Sequence, residues 1–245
     1  MTRVVLLPGL ACDEDLWSDQ CDALTAAGHE VVVGQVHTRA DTLPAMARLL
    51  LSELSGPLTL VGSSMGGMLA LEVFRQASER VAAMGLLGST ARADTPEIRA
   101  LRQQAVALFA QGRMNEVLQA NVPLAFHPRN AADARLVQRY FDMVHRSGAH
   151  QLIAQNQAVM ARPDSRDLLS QIQCPVLVLW GDHDALTPPA CSLEIVQAIA
   201  HARYAQLDQC GHLLTWEQPQ QVNAHLLQWL EAEAITPPPK HTSAS

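Results

Sequence analysis

Short apolar runs rich in β-branched residues recur along the chain, and segments with helical periodicity lie between them. Most of these runs are apolar at successive positions rather than at alternating ones, which is typical of strands buried on both faces in a parallel sheet. Strands that alternate with helices favour an open α/β sheet with helices on both faces. The predicted strands are 3–9, 30–36, 58–63, 82–89, 174–181 and 202–208.

The interval between the fourth and fifth predicted strands is too long for a single crossover helix. Residues 91–165 carry several helical patterns and no convincing strand. We therefore expect a core made of residues 1–90 and 166–235, with 91–165 inserted as a helical cap. The tail, residues 236–245, contains three prolines and no apolar face, and we expect it to be disordered.

Composition argues against several classes of partner. The 245-residue chain has a formal net charge of -7 at pH 7, whereas nucleic-acid binding needs a basic face. No apolar stretch reaches the roughly 18–20 residues of a membrane helix, and the amino-terminal run lacks the features of a signal peptide. The five cysteines form no C-x-x-C pair, which indicates reduced thiols. We expect a cytoplasmic monomer or homodimer with no nucleic-acid partner and no membrane association.

The stretch LVGSSMGG joins the third predicted strand to the helix that follows it. Within it, Gly62, Ser64 and Gly66 form the pattern G-x-S-x-G. In this register Ser64 occupies the tip of a tight turn, and the glycines let the neighbouring backbone pass closely. The following helix begins at the turn, and its free N–H groups suit a developing anion. The competing interpretation is a turn of small residues without chemistry, which the pentapeptide alone does not exclude.

A serine hydroxyl needs a general base, and the base needs an acid that orients it. GDHDALTPP follows the fifth predicted strand and offers Asp182 and Asp184, while QCGHLLTWEQP follows the sixth and offers His212. In sheets of this kind, functional groups gather at the carboxyl ends of the strands. We therefore expect Ser64, His212 and one of the two acids to lie together, although composition alone does not separate the acids.

Four motifs in this order, LLPGL, GSSMG, GDHDALTPP and GHLLTWEQP, resemble those of the α/β-hydrolase superfamily over nearly the whole chain. The resemblance implies that Ser64 attacks an acyl carbon and that His212 transfers the proton. The family pattern G-x-x-D-x-x-x-P favours Asp184 as the orienting acid. An Asx-type turn is then the alternative role for Asp182.

The resemblance further implies an oxyanion hole made by the backbone N–H groups of Leu10 and Met65. The chain departs from the family pattern in three respects. Pro8-Gly9 replaces the usual His-Gly, the signature D-x-R-G-x-G is absent after residues 30–36, and the chain begins too close to its first strand to form the usual opening hairpin. We therefore expect an α/β-hydrolase fold with about six mostly parallel strands and a helical cap inserted before the penultimate strand.

These features predict a serine hydrolase that cleaves a small carboxylic ester or lactone through an acyl-enzyme, without a cofactor. A thioesterase or a C–C bond hydrolase would use the same triad. A hydrolase-derived protein that binds a small ligand with little turnover is the alternative from another class. His183 stands between two acids, but H-x-D spacing without a further His or Cys cluster is poor evidence for a ligand set. No metal site is therefore expected.

Overall fold

The computed structural model of the chain describes residues 1–232. The tail predicted to be disordered, 236–245, and the last positions of the predicted core, 233–235, lie outside the described residues. Within the described part, no helix combines the length and the apolar character that crossing a membrane requires.

The centre of the fold is a single six-stranded sheet in which every pair of neighbouring strands is parallel. Its strands are β1 (Arg3–Leu7), β2 (Glu30–Val33), β3 (Leu58–Ser63), β4 (Val81–Leu87), β5 (Val176–Gly181) and β6 (Arg203–Leu207). They lie in the order β2-β1-β3-β4-β5-β6. The prediction of about six parallel strands is thereby confirmed, and no strand of an opening hairpin is present among residues 1–232.

Both faces of the sheet are covered by helices. The α-helices of the described residues are α1 (Ser18–Ala26), α2 (Leu43–Glu53), α3 (Met65–Ala77), α4 (Pro96–Ala110), α5 (Met114–Ala125), α6 (Pro128–Ala131), α7 (Ala134–Met160), α8 (Arg166–Leu169), α9 (Pro189–Ala198), α10 (Leu214–Glu217) and α11 (Pro219–Ala232). Along β1, Val5 and Leu7 pack into the core on one face, with α2 and α3. Val4 and Leu6 pack into the core on the other, with α1 and α11. This alternation explains why the strand is apolar at successive positions.

Helices α4–α7 occupy the interval between β4 and β5, where the sequence predicts inserted helices. Within α7 the backbone is kinked at Gly148, whose φ of 74° and ψ of 162° are not helical, so two helical segments meet at this residue. Apolar side chains of the inserted helices, among them Phe109, Leu118 and Met143, pack in the same core as α1 and α11. The division into core and cap at residues 91 and 165 stays a prediction.

Thr42 is the N-cap of α2. It has extended backbone angles, and its Oγ1 accepts a hydrogen bond from the N–H of Ala45 at 3.2 Å, while Asp41 directly precedes it in the sequence. Asp and Thr are both good N-cap residues, so the sequence alone does not fix which of two neighbours caps the helix.

Candidate active site

Ser64 lies in a strained turn between β3 and α3. Its backbone has φ 52° and ψ -114°, a conformation that residues with a Cβ rarely adopt and that surrounding structure must hold in place. Two hydrogen bonds supply that support. The N–H of Ser64 donates to the carbonyl of Leu87 at 2.9 Å, and the hydroxyl of Ser89 donates to the carbonyl of Ser64 at 2.8 Å. The turn is therefore anchored to the carboxyl end of β4.

The flanking glycines are required by close approach of the backbone. A Cβ on Gly62 would overlap the backbone of Gly66, and a Cβ on Gly66 would overlap the carbonyl oxygen of Leu7. The two serines also differ in exposure, since Ser63 ends β3 and is buried whereas Ser64 is only partly buried. Of the two hydroxyl-bearing residues, Ser64 is thus the one that the turn presents to a ligand.

His212 and Asp184 form a buried pair. His212 Nδ1 and Asp184 Oδ2 are 2.8 Å apart, and the carboxylate is fully buried. Because a carboxylate only accepts hydrogen bonds, Nδ1 of a neutral His212 carries the proton and Nε2 is left as the acceptor. Thr187 fixes the acid further, because its hydroxyl donates to Asp184 Oδ2 at 2.8 Å and its N–H donates to Asp184 Oδ1 at 2.8 Å.

The end of β4 brings Ser64 and this pair to one place. Gly88 has a positive φ of 50°, and a Cβ on it would lie 3.2 Å from Asp184 Oδ2 and 3.5 Å from His212 Nδ1. The residues on either side of Gly88 are the ones that hold the backbone of Ser64. Residues 87–89 therefore lie between the serine turn and the His212–Asp184 pair. That Ser64, His212 and Asp184 act together as a triad stays a prediction.

Asp182 has a different position. Its Oδ1 accepts hydrogen bonds from the N–H of Cys210 at 2.9 Å and from His183 Nδ1 at 2.9 Å. Burial alone would raise the pKa of Asp182, but these bonds outweigh it and the pKa lies below its ordinary value. The expectation of a local Asx-type turn at Asp182 is wrong. Asp184 makes that turn, through bonds from the N–H groups of Leu186 and Thr187 to its Oδ1.

The two predicted oxyanion donors border Ser64. Met65 is the first residue of α3, so its N–H has no acceptor within the helix. Leu10 lies in a turn closed by a hydrogen bond from the N–H of Cys12 to the carbonyl of Gly9 at 3.2 Å. A Cβ on Gly9 would lie 3.4 Å from the Cβ of Ser64. Both peptides are therefore placed beside the serine, and their role as oxyanion donors stays a prediction.

The loop that carries His212 is held against the inserted helices. The N–H of His212 donates to the carbonyl of Ala125 at 2.8 Å. Glu217 accepts three further bonds: from the N–H of Gly211 at 2.9 Å, from the N–H of His127 at 2.8 Å and from Asn130 Nδ2 at 2.8 Å. Burial raises the pKa of Glu217, and these hydrogen bonds oppose the rise. Glu217 thus joins the loop that carries His212 to the α5–α6 junction.

Replacing Glu217 with glutamine is expected to lower the free energy of unfolding by about 1–3 kcal/mol. A glutamine can accept through one oxygen only, and its amino group would face at least one of the three N–H donors that surround Glu217. Urea unfolding of the variant measures the effect, with the exposed Glu231→Gln as the matched control. Equal unfolding midpoints for the two variants would contradict this account of the loop.

No group of three or more His, Cys, Asp or Glu side chains within residues 1–232 is arranged to hold a metal ion. The ring of His183 instead packs edge-on against that of His127, with centroids 4.3 Å apart. One groove, about 570 Å³ in volume, is lined by Asp15 and by residues of α7, and Ser64 is not among its lining residues. Two of its arginines, Arg139 and Arg146, are paired with aspartates of the loop after β1.

Several residues that support the site are not singled out by the sequence. Ser89 and Thr187 each fix a candidate catalytic residue through a hydroxyl. Thr187 lies within the quoted motif GDHDALTPP and was open to prediction from it, because a hydroxyl three residues after an aspartate can bond the carboxylate. Ser89 follows β4, where no motif marks it.

The chain is similar to known hydrolases. A family model described as alpha/beta hydrolase fold matches residues 39–219. The chain is 27% identical over 232 residues to the pimeloyl-[acyl-carrier protein] methyl ester esterase of Nitrosomonas europaea, with 89% of this chain and 91% of that protein covered.

A second relative is the 2-hydroxy-6-oxo-6-phenylhexa-2,4-dienoate hydrolase of Comamonas testosteroni, 28% identical over 181 residues that cover 70% of this chain and 62% of that protein. Among solved structures, a thermophilic esterase from Thermogutta terrifontis with malate bound gives a TM-score of 0.85 at 26% identity, covering 96% of this chain and 91% of that one. The names of these proteins refer to different substrates.

Proposed function

Because the chain belongs to the α/β-hydrolase fold family, we propose that it is a serine hydrolase that cleaves a small carboxylic ester or lactone through an acyl-enzyme. One observation carries the proposal. The strained Ser64 turn and the buried His212–Asp184 pair both border residues 87–89, at the carboxyl end of β4. Two of the similar proteins are named as esterases, which supports an ester as the substrate class.

The proposed reaction begins with attack of Ser64 Oγ on the acyl carbon, while its proton passes to His212 Nε2. Asp184, hydrogen-bonded to Nδ1 at 2.8 Å, stabilises the imidazolium that forms. The N–H groups of Leu10 and Met65 donate to the oxyanion of the tetrahedral intermediate. Collapse of this intermediate breaks the bond to the leaving oxygen, which takes the proton from His212.

The acyl group is then transferred from Ser64 to water by the same groups acting in reverse order. His212 removes a proton from the attacking water, the second tetrahedral intermediate forms, and Ser64 leaves with the proton restored. A lactone follows the same path, since its leaving alcohol remains part of the acyl chain. The nucleophile, the base and water complete the reaction, and no step calls for a metal or an organic cofactor.

We also propose that residues 91–165 act as the cap of this site. The contact between Ala125 and the N–H of His212, together with the bonds of Glu217 across the same junction, ties these helices to the catalytic loop. Substrate would enter between the inserted helices and the strand ends, so side chains of the insertion would set the preference for acyl and alcohol groups.

Turnover by the purified protein tests the proposal. We expect hydrolysis of acetyl, butanoyl or octanoyl p-nitrophenyl esters, or of a small lactone followed by proton release, at rates far above those of Ser64→Ala under the same conditions. A parallel thermal-shift measurement with the same compounds detects binding. Ligands that stabilise the folded protein and yet are not hydrolysed would contradict the proposal and support a binding protein with little turnover.

A further inference from the structure

Four residues, Ala11, Cys12, His37 and Gln155, form a closed ring of three hydrogen bonds behind the Leu10 turn. The N–H of Ala11 donates to Gln155 Oε1 at 2.7 Å. Gln155 Nε2 donates to the carbonyl of His37 at 3.2 Å. His37 Nε2 in turn donates to the carbonyl of Cys12 at 2.9 Å. Gln155 belongs to the inserted helix α7 and is fully buried, so the ring joins α7 to the turn.

The donors and acceptors of the ring fix both the orientation of the Gln155 amide and the position of the proton on His37. The N–H of Ala11 only donates and the carbonyl of His37 only accepts, so the Gln155 amide has one productive orientation. The carbonyl of Cys12 likewise requires a proton on His37 Nε2. Burial lowers the pKa of His37, which favours a neutral imidazole with its single proton at that nitrogen. Each of the three hydrogen bonds thereby joins a donor to an acceptor.

A second side chain of α7 bonds the carbonyl group of Ala11, whose N–H is held by Gln155. The hydroxyl of Ser147 donates to the carbonyl of Ala11 at 3.1 Å. Ser147 directly precedes Gly148, where the helical backbone is interrupted. Ala11 has a positive φ of 64°, a conformation that is strained for a residue with a Cβ. The two bonds from α7 therefore fix a peptide geometry that the turn would not keep by itself.

The direction of the Leu10 N–H follows from these constraints. The carbonyl of Gly9 and the N–H of Leu10 belong to one planar trans peptide and point in opposite directions. The N–H of Cys12 holds that carbonyl at 3.2 Å, and Gln155 holds the next peptide along the chain. With Gly9 placed against Ser64, the orientation of the Leu10 N–H is set by the Cys12 bond within the turn and by the Gln155 bond to the next peptide.

We propose that Gln155, assisted by Ser147, is a positioning residue through which the inserted helix α7 aims the Leu10 N–H at the oxyanion. This inference rests on the proposed serine hydrolase function. As a consequence, the position of α7 against the Leu10 turn controls how well the oxyanion of the transition state is stabilised. This effect is separate from any contact between the inserted helices and the substrate. Gln155 itself touches neither the substrate nor Ser64 in this assignment.

The test replaces Gln155 with leucine, which is close in size and forms no hydrogen bonds. Losing one oxyanion donor costs on the order of 10²–10³ in kcat, and a misdirected donor less, so we expect a fall in kcat of about 10- to 100-fold. KM should change by less than about 3-fold, because uniform binding of the substrate is left intact. Gln157→Leu, an exposed glutamine on the same helix, is the matched control and should match wild type.

A trifluoromethyl ketone inhibitor supplies a readout that a general loss of stability would not move. It forms a bond from Ser64 Oγ to its carbonyl carbon, the serine proton passes to His212, and the carbonyl oxygen becomes an oxyanion. We expect its inhibition constant to rise in Gln155→Leu by the same factor as kcat/KM falls, because both depend on the oxyanion donors. An unchanged inhibition constant in a folded but slower variant would overturn the positioning role.

Ser147→Ala covers the case in which Gln155→Leu does not fold, since Ser147 is only partly buried. It should lower kcat by about 3- to 10-fold, which corresponds to the modest net worth of one hydrogen bond. Full activity in Ser147→Ala, and in Gln155→Leu if that variant folds, with an active wild type would overturn the positioning role alone. A folded wild type that neither hydrolyses an ester nor binds the ketone would overturn the proposed function and this inference together.

Discussion

Replacing Ser64 with alanine is expected to lower kcat for ester hydrolysis on the order of 10⁶-fold, the usual cost of losing a triad nucleophile. The substitution removes only the hydroxyl oxygen. The backbone bonds that hold the turn, from Ser64 to Leu87 and from Ser89 to Ser64, involve the main chain of residue 64 and remain available. The variant should therefore keep its fold, and steady-state kinetics with circular dichroism measure both properties.

The neighbouring Ser63→Ala provides the control. Ser63 is buried at the end of β3, pairs with Leu87 in the sheet and is not presented by the turn. Its loss should change kcat by no more than a few-fold. Inactivity of Ser63→Ala together with normal turnover by Ser64→Ala would mean that the nucleophile has been placed in the wrong register.

Replacing Asp184 with asparagine is expected to lower kcat on the order of 10⁴-fold. Oδ1 of Asp184 accepts bonds from the N–H groups of Leu186 and Thr187, so an asparagine would keep its oxygen there. Its amino group would then replace Oδ2 and donate to His212 Nδ1. The neutral imidazole would carry its proton on Nε2 and could no longer accept one from Ser64.

Asp182→Asn is the matched control for this prediction. Its oxygen can still accept from the N–H of Cys210, so the loop before His212 keeps its connection to the end of β5. The contact with His183 is exposed to solvent on the histidine side and contributes little. We expect a change in kcat of less than about 5-fold, in line with the small effect of most substitutions away from critical contacts. The reverse ranking of the two variants would reassign the orienting acid.

The sheet was predictable because its signal is local. The run at residues 58–63 is apolar at successive positions and is followed by small residues, and the structure has β3 over the same residues. Motif spacing then places Asp184 and His212 after β5 and β6, and parallel strands deliver their carboxyl ends to one edge. Asp184 and His212 meet because β5 and β6 are parallel neighbours whose carboxyl ends lie at the same edge. The alternation of strands and helices in the sequence already indicates such a parallel sheet.

The supports of the site were not predictable in the same way. Gln155 meets Ala11 across 144 positions of the chain, and one buried glutamine in a helix carries no local mark of its partner. His37 follows β2 in a stretch without a motif, so nothing in the sequence marks it as part of the site. These contacts depend on how α7 packs against the strand ends, which is a property of tertiary packing rather than of periodicity.

Identification of the serine that forms a covalent adduct tests the central claim most directly. The folded protein is treated with a fluorophosphonate probe, digested, and mapped by mass spectrometry. We expect one probe per chain, carried by Ser64, with no labelling of Ser64→Ala and slow labelling of Asp184→Asn. Labelling of Ser63 or of a serine outside the turn, or no labelling of the folded wild type, would contradict it.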